Sequence, residues 1–320
     1  MRLATMNSGG RDGRLVTVTP DGQGAIDATS VAATLLEAME RWEEVAPRLA
    51  TLPNHAVKID PSLLCAPLPR SWQWLDGSAY RSHGDLMDQL FGAKGPRTGR
   101  PLMYQGMSDR FYGPFEDVVM GEEDLGMDFE GEFGVIVDAV PMGTPPEVAM
   151  GHIRLLVQIN DWSFRSLAGV EMKTGFGWVQ AKPACSMAPF AVTPDELGSQ
   201  WRNGRVCLDL EVQLNGQRFG LVNGEPMEFG FHELVAHAAR TRDLVAGTII
   251  GSGTVSNDTY RTVGSSCIAE RRAIETLDRG EAITPFMRYG DRVRMEAHRP
   301  DGSSPFGAID QRLVPRGRAR

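Results

Sequence analysis

The sequence predicts a mixed, β-rich α+β fold, and three features of its 320 residues carry that expectation. Glycine is frequent, at 36 residues, and punctuates the chain with turns. Runs with helical spacing are few. Short stretches of alternating or apolar residues, bounded by turn formers, recur along the whole length.

The elements follow in order. Residues 2–20 read as two short strands around a Gly-rich turn. Leu35, Leu36, Met39, Trp42, Val45 and Leu49 fall at helical spacing and predict one amphipathic helix over 31–49. Pro61, Pro67 and Pro69 then break the chain, which places the end of a small N-terminal domain at residue 68 and a larger domain over 69–312. Residues 92–101, with three glycines and two prolines, read as a loop. Phe129–Ala139 reads as a strand, and 144–158 as a helix begun by Pro145 and Pro146 and running into Asn160-Asp161. Further strands are expected at 206–214 and 291–297, a helix at 230–245, and a Gly-rich turn region at 246–257. The basic end, 313–320, reads as a disordered tail whose Leu313-Val314-Pro315-Arg316-Gly317 resembles an engineered protease site.

Composition narrows the function. With 42% hydrophobic and 23% charged residues, the chain has the makeup of a globular enzyme that can bury its own core. A net charge of −8 gives no electrostatic reason to bind nucleic acid or an anionic membrane. No apolar stretch reaches the ~18 residues of a membrane span. Cys65, Cys185, Cys207 and Cys267 are scattered, which argues against a disulfide framework or a thiolate zinc site and for a reducing, cytoplasmic setting.

Three stretches carry chemistry. In Asp128-Phe129-Glu130-Gly131-Glu132, residues two apart on a strand share a face, so Glu130 and Glu132 present paired carboxylates beside an apolar run. A divalent cation would relieve their repulsion and lost solvation; a solvated strand end is the plain alternative. Asn160-Asp161-Trp162-Ser163-Phe164-Arg165 sets an acid four residues from an arginine. Trp74 to His83 joins Asp76 to a histidine seven residues on.

In this order and spacing, the three stretches resemble the fumarylacetoacetase superfamily. Pro101 to Gly106 (PLMYQG), Gly251-Ser252-Gly253-Thr254 and Ser265 to Glu270 (SSCIAE) extend the resemblance over residues 68–312. The resemblance implies a β-roll catalytic domain, with Asp76, Glu130, Glu132 and Asp161 as metal ligands. Such an all-oxygen set suits Mg²⁺ foremost, or Ca²⁺ or Mn²⁺. It implies His83 as general base with Glu270 as its partner, Arg165 and Lys182 as balancing cations, and Tyr104, Thr254 and Ser78 as substrate-contacting positions. The activity implied is hydrolysis of a carbon–carbon bond in a 1,3-diketo acid, of fumarylacetoacetate or acylpyruvate type, by His-activated water and a metal-bound enolate. The resemblance implies a homodimer as well, and the glycine-containing loop after His83, with Gly84, Gly92 and Gly95, is expected to close as a lid.

The chain also departs from fumarylacetoacetase. Ala168 replaces a glutamine, Ser78 replaces a substrate-binding tyrosine, and a family arginine has only Arg97 as a substitute. These departures leave open a decarboxylase, tautomerase or hydratase of a 2-oxo acid on the same site, a non-catalytic metal-binding member, or a structural calcium site. His152, His232 and His237 are read as packing or surface residues, and neither Cys185 nor Cys267 as a nucleophile.

Overall fold

The computed structural model describes residues 1–53, 55–91 and 99–317. Arg97, Gly92 and Gly95 lie outside the described residues. Gly84 falls within a helix, not in a loop.

The start follows expectation: β1 (Arg2–Met6) pairs antiparallel with β2 (Arg14–Val18), and β3 (Gly24–Asp27) continues the sheet. The single helix expected over 31–49 is two, α1 (Leu35–Glu40) and α2 (Trp42–Ala50). Arg41, at φ −128° and ψ 33°, leaves helical geometry between them and turns its N–H to Ala38. Thr34 caps α1 by accepting from the Glu37 N–H at 3.1 Å. Next come β4 (Val57–Lys58), β5 (Trp74–Ser78), α3 (Arg81–Phe91), β6 (Leu102–Gly106), β7 (Val118–Met120), β8 (Met127–Asp128) and β9 (Gly131–Val137).

The helix expected over 144–158 is overturned. Pro145 and Pro146 start only one turn, α4 (Pro146–Ala149), and the chain then runs as β10 (Ile153–Asn160). Seven of its eight residues are buried; Ile153, Leu155, Val157 and Ile159 alternate with Arg154, Gln158 and Asn160, a period of two that the proline pair before it masks. After β10 come β11 (Ser163–Phe164), α5 (Arg165–Thr174), β12 (Ser186–Met187), β13 (Phe190–Val192), α6 (Pro194–Leu197), β14 (Trp201–Arg202) and β15 (Arg205–Val206). The strand expected at 206–214 is β16 (Asp209–Leu214), which pairs with β17 (Gln217–Asn223). The helix α7 (Phe231–Ala238) is half the expected length.

The supposed turn region at 246–257 contains β18 (Ile249–Gly251), a central strand. The chain closes with α8 (Tyr260–Val263), α9 (Ile268–Arg279), β19 (Arg292–His298) and β20 (Ala308–Pro315). β20 takes in Leu313, Val314 and Pro315, assigned above to the tail. They pair in parallel with Val118, Val119 and Met120, and Leu313 is fully buried. Apolar pairing outweighs the basic composition there.

Among the described residues an 11-stranded sheet runs β4-β3-β2-β1-β13-β10-β9-β18-β5-β6, with β12 on β10. A five-stranded sheet runs β17-β16-β19-β20-β7. The fold is sheet-rich α+β, as the sequence predicts. No helix among the described residues is long and apolar enough to cross a membrane.

Candidate metal centre and histidine–glutamate pair

The strand order explains how distant acids meet. β9 and β10 are antiparallel, with Glu132 opposite Ile159 and Gly131 opposite Asn160. Asp161 follows β10 directly, and its N–H donates to the Glu130 carbonyl at 3.0 Å. Asp76 sits on β5, separated from β9 by β18. The residue between is Gly251, paired with Asp76 on one side and Gly134 on the other. A Cβ on Gly251 would come within 2.3 Å of both Asp76 Oδ1 and the Trp74 indole, so only glycine leaves room for this aspartate.

Asp76, Glu132 and Asp161 each offer an oxygen within 4.8 Å of the other two, and all three are buried. Both Glu132 oxygens are shut off from solvent and have no hydrogen-bond partner among the described residues. Burial and the Asp161 charge push the Asp76 carboxyl well above the usual carboxylate range. Burial and the Asp76 charge do the same to Glu132. Three buried hard-oxygen donors, one of them without any donor of its own, fit a divalent cation.

Glu130 stands apart from this trio. Its Oε1 accepts from Lys182 Nζ at 2.7 Å and Ser163 Oγ at 2.5 Å, and Arg165 Nη2 lies 3.1 Å away. Its Oε2 accepts from the Thr254 hydroxyl. Burial opposes its charge, but Arg165 and Lys182 outweigh burial and hold the carboxyl well below the usual range. Lys182 also donates to Asp161 Oδ2 at 2.5 Å. Burial disfavours its ammonium, yet Asp161 and Glu130 hold it above the ordinary lysine range. Tyr104 donates to the same Asp161 oxygen at 2.8 Å, and the Cys185 thiol to Oδ1 at 3.0 Å. Tyr104 packs edge-on against Trp178, with ring centroids 4.8 Å apart, and Lys182 lies 5.5 Å from the Trp178 centroid. Ser78 is exposed at the end of β5.

The second group is His83 with Glu270. His83 lies in the first turn of α3 and Glu270 in the first turn of α9; its ring Nδ1 is 2.8 Å from Glu270 Oε2. Glu270 is fully buried, whereas His83 keeps 17% of its side chain accessible. α9 starts beside the acids, since Cys267 bridges to Glu130 in the backbone. Asp128, also fully buried, accepts from the Ile268 N–H at 2.7 Å, the Ala269 N–H at 2.9 Å and Arg165 Nε at 2.8 Å.

The structure thus gathers Asp76, Glu132 and Asp161, sets Glu130, Lys182, Arg165, Tyr104 and Thr254 around them, and joins His83 to Glu270. Sequence reasoning missed Asp128, Ser163, Cys185 and Trp178. Asp128 was within reach, because the alternation that pairs Glu130 with Glu132 extends to it. Of the histidines assigned to packing or the surface, His152 binds Asp138 at 2.6 Å through Nδ1.

The fumarylacetoacetate hydrolase C-terminal family model matches residues 73–314. The chain belongs to the fumarylacetoacetate hydrolase family. A fumarylacetoacetase N-terminal domain model matches residues 1–70. The 2,4-didehydro-3-deoxy-L-rhamnonate hydrolase of Sphingomonas sp. (strain SKA58) is 26% identical over 162 residues, 50% of this chain and 54% of that protein. Human mitochondrial oxaloacetate tautomerase FAHD2B is 23% identical over 162 residues, 50% of this chain and 49% of that protein. The chain thus spans about half the length of these curated relatives. Among solved structures, fumarylacetoacetate hydrolase from Exiguobacterium antarcticum superposes with a TM-score of 0.68 at 18% identity, covering 99% of this chain and 100% of that one. Maleylpyruvate hydrolase from Sphingobium sp. SYK-6, in complex with manganese(II) and pyruvate, gives 0.68 at 17% identity, with coverage of 99% and 100%. These likenesses establish the shared fold.

Proposed function

We propose that the chain is a divalent-metal-dependent hydrolase that cleaves a carbon–carbon bond in a 1,3-diketo acid of the fumarylacetoacetate or acylpyruvate type. The observation that carries this reading is the buried trio of Asp76, Glu132 and Asp161, with Glu132 lacking any donor among the described residues. We assign these three and Glu130 as the metal-holding acids, and Mg²⁺ as the first choice of ion with Ca²⁺ or Mn²⁺ as alternatives, since every donor is a hard oxygen. The ion would polarise two substrate oxygens and offset developing negative charge.

The chain's own residues supply the rest. Glu270 fixes the His83 ring, which takes a proton from water. The water oxygen bonds to the acyl carbonyl carbon, and the bond from that carbon to the methylene breaks. The electron pair passes into the oxo-acid half, which takes up a proton. A carboxylic acid and an oxo acid leave, a 2-oxo acid from an acylpyruvate and a 3-oxo acid from fumarylacetoacetate. Lys182 and Arg165, both held cationic by buried carboxylates, face the charge that moves. Tyr104, Thr254 and Ser78 complete the proposed substrate contacts. The same reading takes in a small N-terminal domain ending near residue 68, a homodimer, and the cytoplasm. All four cysteines are free, which supports a reducing compartment.

The test is a Mg²⁺-loaded screen of acylpyruvates, fumarylacetoacetate and oxaloacetate, following loss of enol absorbance and identifying products. His83→Ala is expected to lower acylpyruvate hydrolysis by about 10²–10⁴-fold. Undiminished cleavage in that variant would refute the assignment of the base. The similarity to a human oxaloacetate tautomerase favours a second reading, a 2-oxo acid tautomerase. A decarboxylase on this site would largely keep its oxaloacetate turnover in His83→Ala.

A further inference from the structure

We propose that Asp128 is a positioning residue for the His83–Glu270 pair, and that through Arg165 it ties the pair to the carboxylate cluster. The proposal rests on the reading of that pair as the water-activating one.

α9 carries Glu270 in its first turn and must present it to His83 at 2.8 Å. The first N–H groups of a helix have no partner within it. At α9 the local cap is weak: Cys267 offers a sulfur to the Glu270 N–H at 3.3 Å. The two donors before it, Ile268 and Ala269, are met by a carboxylate about 140 residues away in sequence, with Asp128 Oδ1 taking the first and Oδ2 the second. Oδ2 also accepts from Arg165 Nε. The other end of that guanidinium lies 3.1 Å from Glu130, which Lys182 shares with Asp161. One buried anion therefore sets the helix that aims the base and the arginine that flanks the acids. No other described side chain bonds both.

Asparagine cannot replace it without conflict. With its oxygen toward Arg165 and Ala269, its amide faces the Ile268 N–H. Flipped, the amide faces the other two donors. Either way a donor meets a donor in a buried place.

The test uses Asp128→Asn on the full chain with Mg²⁺ bound. The first readout is the His83 ring Nδ1–H proton resonance, assigned by its loss in His83→Gln. It is expected to be sharp in the parent and broadened or lost in Asp128→Asn, with circular dichroism retained. The second is kinetic: kcat falls at least tenfold with KM within about twofold. In Asp128→Asn/Glu270→Gln the loss is no larger than in Glu270→Gln alone, because Asp128 acts through Glu270. An unchanged resonance, or losses that multiply in the double variant, would overturn the proposal. If the asparagine variant does not fold, Asp128→Glu, which shifts the acceptors by one methylene, should displace the same resonance; an unmoved signal overturns the proposal equally. The resonance needs no turnover. A parent that cleaves no acylpyruvate yet shows the expected spectral change therefore defeats the hydrolase reading and leaves the positioning role standing.

Discussion

Replacing Glu132 by glutamine should have opposite effects with and without metal. In the metal-free protein both Glu132 oxygens are buried, unpartnered among the described residues, and close to the Asp76 and Asp161 carboxylates. Burial and the neighbouring acids make the ionised form of Glu132 costly; glutamine stays neutral at every pH and offers an amide to the two aspartates. The metal-free chain should gain on the order of 1–3 kcal/mol. Unfolding entropy scales with length, so 320 residues imply roughly 0.7 kcal/mol per kelvin at the midpoint. The gain then corresponds to a Tm about 2–4 °C higher. In the parent chain, Mg²⁺ at a hundred times its dissociation constant adds about 2.7 kcal/mol, or about 4 °C. That increment should vanish in Glu132→Gln. Scanning calorimetry of chelator-treated protein, titrated with Mg²⁺, measures both quantities. A glutamine variant that melts lower than the parent without metal, and still gains several degrees with it, would refute the metal role of Glu132 and the charge argument together.

Two other substitutions probe the surroundings. Gly251→Ala puts a methyl group within 2.3 Å of Asp76 Oδ1 and Trp74, so it should displace Asp76 and weaken Mg²⁺ binding by at least tenfold in calorimetric titration. Undisturbed affinity would mean that Asp76 is not a ligand. Lys182→Met leaves Glu130 and Asp161 without the ammonium that bonds both. Breaking a buried pair from one side costs about 3–5 kcal/mol, so the metal-free Tm should fall by about 4–7 °C. Added Mg²⁺ should recover part of the loss.

The site was more legible in the sequence than the strands that build it. Asp76, Glu132 and Asp161 could be picked out because acids beside apolar runs, in a familiar order, are unusual in composition. The elements carrying them were misread where burial is complete. β10 is buried on both faces, with Gln158 and Asn160 enclosed as well, and its proline-led approach imitates a helix start. β18 is three residues long and ends in the glycine that makes room for Asp76, so its central place was hidden under a turn signature. Glu130 looked equivalent to Glu132 because two residues on one face share a direction. What separates them is the set of cations and hydroxyls brought by Lys182, Arg165, Ser163 and Thr254, which sequence spacing does not disclose. The alternation of Glu130 and Glu132 extends to Asp128 and marks it as an acid on their face, but its partners, backbone N–H groups of a distant helix, leave no trace in side-chain patterns.

The first strand does more than open a separate module. β1 lies along β13 in register, Leu3 beside Ala191, and β13 in turn borders β10, at whose end Asp161 stands. Excising residues 1–70 would therefore leave a raw border only two strands from the acids, with bare N–H and C=O groups ready to recruit another molecule's strand. The two segments are woven into one fabric. Exchanging either for its counterpart from a relative requires matching the seam between β1 and β13 as well as the surfaces around it.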